Sequence, residues 1–153
     1  MNHSELQTTR RHLPHWHLAG SVYFITFRLA TGTLADLERT ILVTHIRNGN
    51  RKFYDLIAAV IMPDHAHVLL RPNDEVDLSR ITKGIKGASA RLINEHRCST
   101  GSIWQEESFD RIIRDQAEYD EKLTYIVNNP VKAGLIADGF DYPWLYLANS
   151  TDG

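Results

Sequence analysis

The chain has 153 residues, 42% hydrophobic and 24% charged, the balance of an ordinary globular domain with a real core. No apolar run reaches the roughly 20 residues of a membrane span, and the start Met1-Asn2-His3-Ser4-Glu5-Leu6 lacks the apolar stretch of a signal peptide, so a cytoplasmic location and no membrane partner are expected. A net charge of −2 argues against a non-specific nucleic-acid coater, and the single Cys98 excludes an internal disulfide and a multi-cysteine zinc site, leaving a spectator thiol.

Residues 1–18 are polar and rich in Arg and His, with Trp16 among them. Val22 to Leu29 is β-branched and aromatic and reads as the first strand. After the turn Thr31-Gly32-Thr33, Thr33 can cap a helix through Leu34, Leu37, Ile41, Leu42 and Ile46, stopped by Asn48-Gly49-Asn50. Phe53–Ile61 and His65–Leu70 read as two strands joined by the turn Met62-Pro63-Asp64. A helix opening at Asp77 or Ser79 carries Leu78, Ile81, Ile85, Ala88 and Leu92 on one stripe. Two short extended pieces follow, Ile103 to Gln105 and Phe109 to Arg114. A last helix covers about Ala117 to Asn128, closed by Pro130, and Gly134 onward is a tail anchored by Tyr142, Trp144 and Tyr146. The first six elements, β-α-β-β-α-β, match the split β-α-β pattern of an α+β, ferredoxin-like fold. That fold has an antiparallel sheet with helices on one face, leaving the other face for a site.

His65-Ala66-His67 holds the strongest chemical hint. In a strand, residues i and i+2 project from one face, so both imidazoles stand side by side. The pair alone fits two metal ligands or two structural histidines. On the last helix, Tyr119, Leu123 and Ile126 form the apolar stripe, and Tyr125 lies about 100° from its centre. Asn129 shares the face of Tyr125 if the last turn persists, and its amide oxygen suits a hard cation such as Mg²⁺ or Mn²⁺. The plainer alternatives are a boundary tyrosine and a helix-ending Asn-Pro. Arg80, Lys83, Lys86 and Arg91 lie on the flank of the second helix, which a solvated face also explains.

Together these residues resemble a family. Pro63-Asp64-His65-Ala66-His67-Val68 resembles the metal-binding motif of HUH endonucleases, with Ala66 smaller than usual at the U position. Tyr125 to Leu135 resembles the catalytic-helix motif of single-tyrosine transposases, and Trp104-Gln105, Phe109-Asp110-Arg111 and Ile113-Arg114 also fit it. Arg11 to His17, with Tyr23 to Arg28, points to the branch of REP-associated tyrosine transposases. The resemblance covers about residues 10 to 146. It implies a single HUH endonuclease domain over 1–153, with 1–18 a DNA-binding arm and 135–153 a C-terminal tail.

The activity implied is metal-dependent nicking and joining of single-stranded DNA at hairpin-forming palindromic repeats, through a 5′-phosphotyrosine on Tyr125. His65, His67 and Asn129 would hold Mg²⁺ or Mn²⁺; Asn129 stands where relatives often carry Gln, with a shorter reach. Lys83, Lys86, Arg111 and Arg114 become candidate DNA contacts, as do Arg10, Arg11, His15 and Trp16 of the arm, which could read bases beside a hairpin. The alternative is a catalytically quiet hairpin-binding protein derived from such an enzyme. Members work as monomers or homodimers.

Overall fold

A computed structural model describes residues 20–74 and 76–149. The sheet is built from β1 (Tyr23–Arg28), β2 (Tyr54–Ile61), β3 (His65–Pro72), β4 (Phe109–Ile112) and β5 (Leu145–Leu147). Its helices are α1 (Asp36–Asn48), α2 (Leu78–Arg97) and α3 (Gln116–Lys132). The strands lie in the order β4-β1-β3-β2-β5, all neighbours antiparallel. The first four strands thus form the expected α+β, ferredoxin-like sheet.

Strand alternation divides the sheet into two faces, each with its own core. On one face Ile25, Phe27, Ala66, Val68 and Leu70 pack with Leu42 and Ile46 of α1 and Ile81, Ile85 and Ile93 of α2. On the other, Phe24, Ala58, Val60 and Leu69 pack with Tyr119, Leu123, Ile126 and Val127 of α3. The second face is therefore not left free. α3 covers part of it, mainly over β2 and β3.

Buried chemistry ties the first layer together. The Glu38 carboxylate accepts the Ala35 N–H at the start of α1 (2.8 Å). It also accepts from Arg97 Nε (2.8 Å) and Nη2 (3.0 Å) at the end of α2, with His96 Nδ1 at 3.0 Å. The Arg97 guanidinium first of all, with the Ala35 N–H and His96, outweighs burial and holds the Glu38 carboxyl down at about 2. Ala35, not Thr33, is accordingly the residue before α1; Glu38 supplies the capping group three residues into the helix. Gly49 follows α1 because a Cβ there would collide with the Tyr54 phenol, whose hydroxyl donates to Ile46 O (2.6 Å).

Two C-terminal details differ from expectation. Pro130 does not close the last helix; α3 continues through it to Lys132, and Pro130 is buried. Only the ladder bond that a proline nitrogen lacks is forfeited. Its carbonyl accepts Leu135 N–H (2.9 Å), while Asn129 O accepts Ala133 N–H (3.1 Å), so the last turn is satisfied. The stretch from Gly134 is more than a tail. A 3₁₀ turn at Gly139–Asp141 packs on α3, with no room for a Cβ between Gly139 and the Val127 carbonyl. β5 then pairs with β2 and covers that sheet edge. The buried Tyr142 hydroxyl donates to Ile61 O (2.7 Å).

Candidate active site

β1 and β3 fix the first half of the site. Their register sets His65 opposite Arg28 and His67 opposite Thr26. All four side chains, with Phe24 and Leu69, belong to the α3 face. His65 and His67 stand side by side, ring centroids 4.9 Å apart. His67 is 2% exposed, and its ring stacks on Phe24 (5.3 Å, 16°).

Each imidazole is oriented through its Nδ1. Thr26 Oγ1 lies 2.7 Å from His67 Nδ1 in a buried contact, and Asp64 Oδ1 lies 2.7 Å from His65 Nδ1. With Nδ1 carrying the proton, Nδ1–H donates to the hydroxyl or carboxylate oxygen, and Nε2 keeps its lone pair. Burial, aided by the charges of His65, Arg28 and Lys122, pushes the His67 pKa down to about 3. His67 is therefore neutral at pH 7, the form that ligates a metal. His67 Nε2 is buried and has no hydrogen-bond partner. An imidazole nitrogen left bare in this way costs free energy unless something outside the protein's own donor set meets it.

α3 supplies the second half. The Asp115 carboxylate caps it by accepting Glu118 N–H (2.8 Å). Tyr119, Leu123 and Ile126 face the core, all at most 1% exposed, whereas Tyr125 is 41% exposed. The sequence stripe thus places Tyr125 at the boundary. Its ring meets His67 edge-on at 5.1 Å and Phe24 at 5.9 Å. Lys122, one turn earlier, holds Nζ 4.9 Å from the Phe24 centroid and 6.0 Å from that of Tyr125. Because α3 runs on past Pro130, Asn129 is helical and lies one turn beyond Tyr125 on the same side. Its side chain is half-buried. The neighbouring Asn128 is buried, with a carboxamide oxygen that has no partner.

The residues fit a hard divalent cation. Two imidazoles converge, and that of His67, neutral at pH 7, presents a buried Nε2 with nothing to bind. Among the described residues no third His, Cys, Asp or Glu joins them into a metal-holding group. The remaining donor from this chain would be an amide oxygen, which suits Mg²⁺ or Mn²⁺ better than zinc.

The structure separates the other sequence-predicted contacts. Arg111 projects from the α3 face of β4, opposite Phe24, and donates to Glu118 Oε2 (2.8 Å). Arg114, exposed, stands 4.0 Å from the same carboxylate. Lys83 is exposed on α2, which packs on the opposite face of the sheet, so it does not join the tyrosine. The Lys86 ammonium is already engaged: it donates to Gln105 O (2.7 Å), Glu106 O (3.0 Å) and Ser108 Oγ (2.9 Å). It clamps the segment before β4. Arg10, Arg11, His15 and Trp16 lie outside the described residues.

Sequence reasoning did not single out Thr26, Asp64, Phe24, Arg28 or Lys122. One signal was available for Thr26: it is the polar residue in the middle of the apolar run Tyr23-Phe24-Ile25-Thr26-Phe27, at the parity of Phe24. Asp64 stood within the motif but was read only as a turn residue.

A family model described as "Transposase IS200 like" matches residues 36–129, from the start of α1 through Asn129. The chain belongs to this transposase family. The match takes in His65, His67, Tyr125 and Asn129. Relatives of this transposase-family chain carry the name REP-associated tyrosine transposase, the branch its motifs resemble. One, from Haemophilus influenzae, is 28% identical over 141 residues, covering 82% of this chain and 78% of the relative. Another, from Escherichia coli K12, is 29% identical over 92 residues, covering 60% of this chain and 53% of the relative. Among solved structures, a REP-associated tyrosine transposase bound to a REP hairpin superposes with a TM-score of 0.69 at 26% identity, over 86% of this chain and 79% of that one. A Deinococcus radiodurans protein described as a transposase shares the fold, with a TM-score of 0.50 at 21% identity over 74% of this chain and 94% of that one. Among the described residues no helix is long and apolar enough to cross a membrane.

Proposed function

We propose that this chain nicks and rejoins single-stranded DNA at hairpin-forming repeats, with Tyr125 as nucleophile. In this reading His65, His67 and the amide of Asn129 hold Mg²⁺ or Mn²⁺. The observation that carries it is the contact between the Tyr125 ring and His67 (5.1 Å), beside a buried His67 Nε2 with no protein partner. In this reading the Tyr125 phenol and the unfilled His67 Nε2 serve one bound phosphate.

The chemistry follows from these groups. A bound divalent cation supplies Lewis-acid polarisation of a phosphate oxygen and fixes the phosphate in place. Phenols ionise at about pH 10 and are weak nucleophiles at neutral pH, so position and local charge must help. Tyr125 Oη attacks the phosphorus and its proton passes to solvent. The bond from phosphorus to the 3′ oxygen breaks, and that oxygen leaves as a protonated 3′-hydroxyl. A phosphodiester is exchanged for a tyrosyl 5′-phosphodiester, so a 3′-hydroxyl can later reverse the step and join DNA without a nucleotide cofactor. Lys122 holds positive charge beside the phenol and opposes the negative charge that develops there. Phe24 forms the wall on which His67, Tyr125 and Lys122 are all seated. Thr26 and Asp64 engage each Nδ1, which leaves the Nε2 atoms as the ligating nitrogens in this reading.

The test is covalent capture. Labelled hairpin DNA carrying the host's repeats is incubated with the full chain and Mn²⁺ or Mg²⁺, then resolved under denaturing conditions. A protein–DNA adduct is expected with the wild type and none with Tyr125→Phe. Absence of any wild-type adduct across those repeats, with hairpin binding that persists in EDTA and in Tyr125→Phe, overturns the nuclease reading in favour of a quiet binder.

A further inference from the structure

One exposed aromatic on the site's face takes no part in the chemistry above. Register sets Phe109 of β4 opposite Thr26, and Thr26 opposite His67, so the three side chains share one face and one row. Neighbouring strands lie about 4.8 Å apart, which puts Phe109 about 10 Å from His67 along that row. α3 does not cover this end of β1 and β4: Phe109 is 56% exposed, and Arg28, opposite His65, is exposed as well. An apolar ring presented to water on an edge strand contributes little to the core and invites association.

The surroundings favour a particular occupant. Arg28 faces solvent on the same face, and Arg111 stands two residues along β4. Of the nearby acids, Asp64 is engaged by His65 Nδ1 (2.7 Å). Glu118 is held by Arg111, and Asp110 pairs with Ile25, whose side chain belongs to the opposite core. Glu106 and Glu107 lie in the segment before β4 that Lys86 clamps by its backbone at Glu106. A single ring is far smaller than the roughly 800 Å² per partner of a stable protein interface. It matches one nucleobase, and the cation beside it matches a phosphate.

We propose that Phe109 is the stacking platform for an unpaired base flanking the phosphate that Tyr125 attacks, with Arg28 against an adjoining phosphate. The inference rests on the single-stranded DNA reading above. It assigns substrate alignment to β4: the base on Phe109 fixes which phosphate reaches Tyr125.

Binding of fluorescein-labelled hairpins with mixed-sequence single-stranded flanks, measured by anisotropy in EDTA, separates this step from the chemistry. Phe109→Ala and Phe109→Leu should each weaken binding by about 5- to 150-fold, while Phe109→Trp keeps it. Arg28→Gln should lower the slope of log affinity against log salt by about 0.7. A scan of single abasic positions along the flank should find one whose loss weakens the wild type but not Phe109→Ala. If Phe109→Leu binds like the wild type, or no abasic position couples to residue 109, the platform is refuted while the Tyr125 adduct can still form. If the wild type binds none of these hairpins, both readings fall together.

Discussion

Thr26→Val tests how the site is held without touching the proposed nucleophile or the proposed ligands. Valine nearly matches threonine in shape, so no cavity opens, but the hydroxyl that meets His67 Nδ1 at 2.7 Å is gone. His67 is 2% exposed, so water does not replace it. A buried polar atom stripped of its partner costs about 1–3 kcal/mol. For a chain of this size each kcal/mol lowers Tm by about 2–4 °C. Urea unfolding in EDTA at pH 7.5 measures that cost on the protein alone. The second consequence is for metal. Without the Thr26 contact the ring is free to take the other tautomer, and loss of such an orienting partner weakens metal affinity by about 10- to 100-fold. Titration with Mn²⁺, followed by electron paramagnetic resonance, reads this directly. Thr26→Ser retains the hydroxyl and should recover most of the affinity. A valine variant as stable as the wild type, with unchanged Mn²⁺ affinity, would refute the argument that Thr26 orients His67.

Glu38 gives the stability curve its acid side. Its carboxyl, held at about 2 in the fold against 4.5 unfolded, stabilises the protein fully above pH 4.5 and loses that contribution as pH falls from 4.5 towards 2. Glu38→Gln should cost about 2–3 kcal/mol at pH 7 and flatten this acid limb, as followed by circular dichroism unfolding across pH. Lys86→Met should destabilise by about 1–2 kcal/mol through release of the 105–108 segment, with the salt slope of DNA binding unchanged. A slope reduced by about 0.7 would instead make Lys86 a phosphate contact.

Much of the fold was legible because its signals are periodic. Alternation in β1 and β3 and the stripe of α3 determine which side chains meet, and the 4-1-3-2 strand order follows from β-α-β-β-α-β connectivity. In α2 the expected stripe holds at Ile81 and Ile85 but then turns to Ser89 and Ile93 instead of Ala88 and Leu92. The same periodicity put His65 and His67 on one face and Tyr125 beside the α3 stripe. What escaped depends on contacts that no local pattern encodes. Thr26 meets His67 across 41 residues and only through register. β5 is three residues long, too short for alternation to register, and exists because β2 offers an open edge. Pro130 is a terminator by local rules, yet it is buried within α3, which runs on to Lys132. Lys86 had the spacing of a surface cation; its three oxygen partners come from a segment 19 to 22 residues further on.

The two cores, one on each side of a single sheet, have a consequence for how such a chain can change. Arg28, Phe109 and the histidine pair are set in the strands, whose other face packs on α1 and α2. Tyr125 and Asn129 arrive with α3 alone. Loosening of the α3 layer would carry away Tyr125 and Asn129 and bare Phe24, Val60 and Leu69, while the core against α1 and α2 keeps its own contacts. If Tyr125 cuts and the strands hold DNA as proposed, the two roles are separately erasable in this architecture, and a descendant could shed the first while keeping a grip that a host could put to other use.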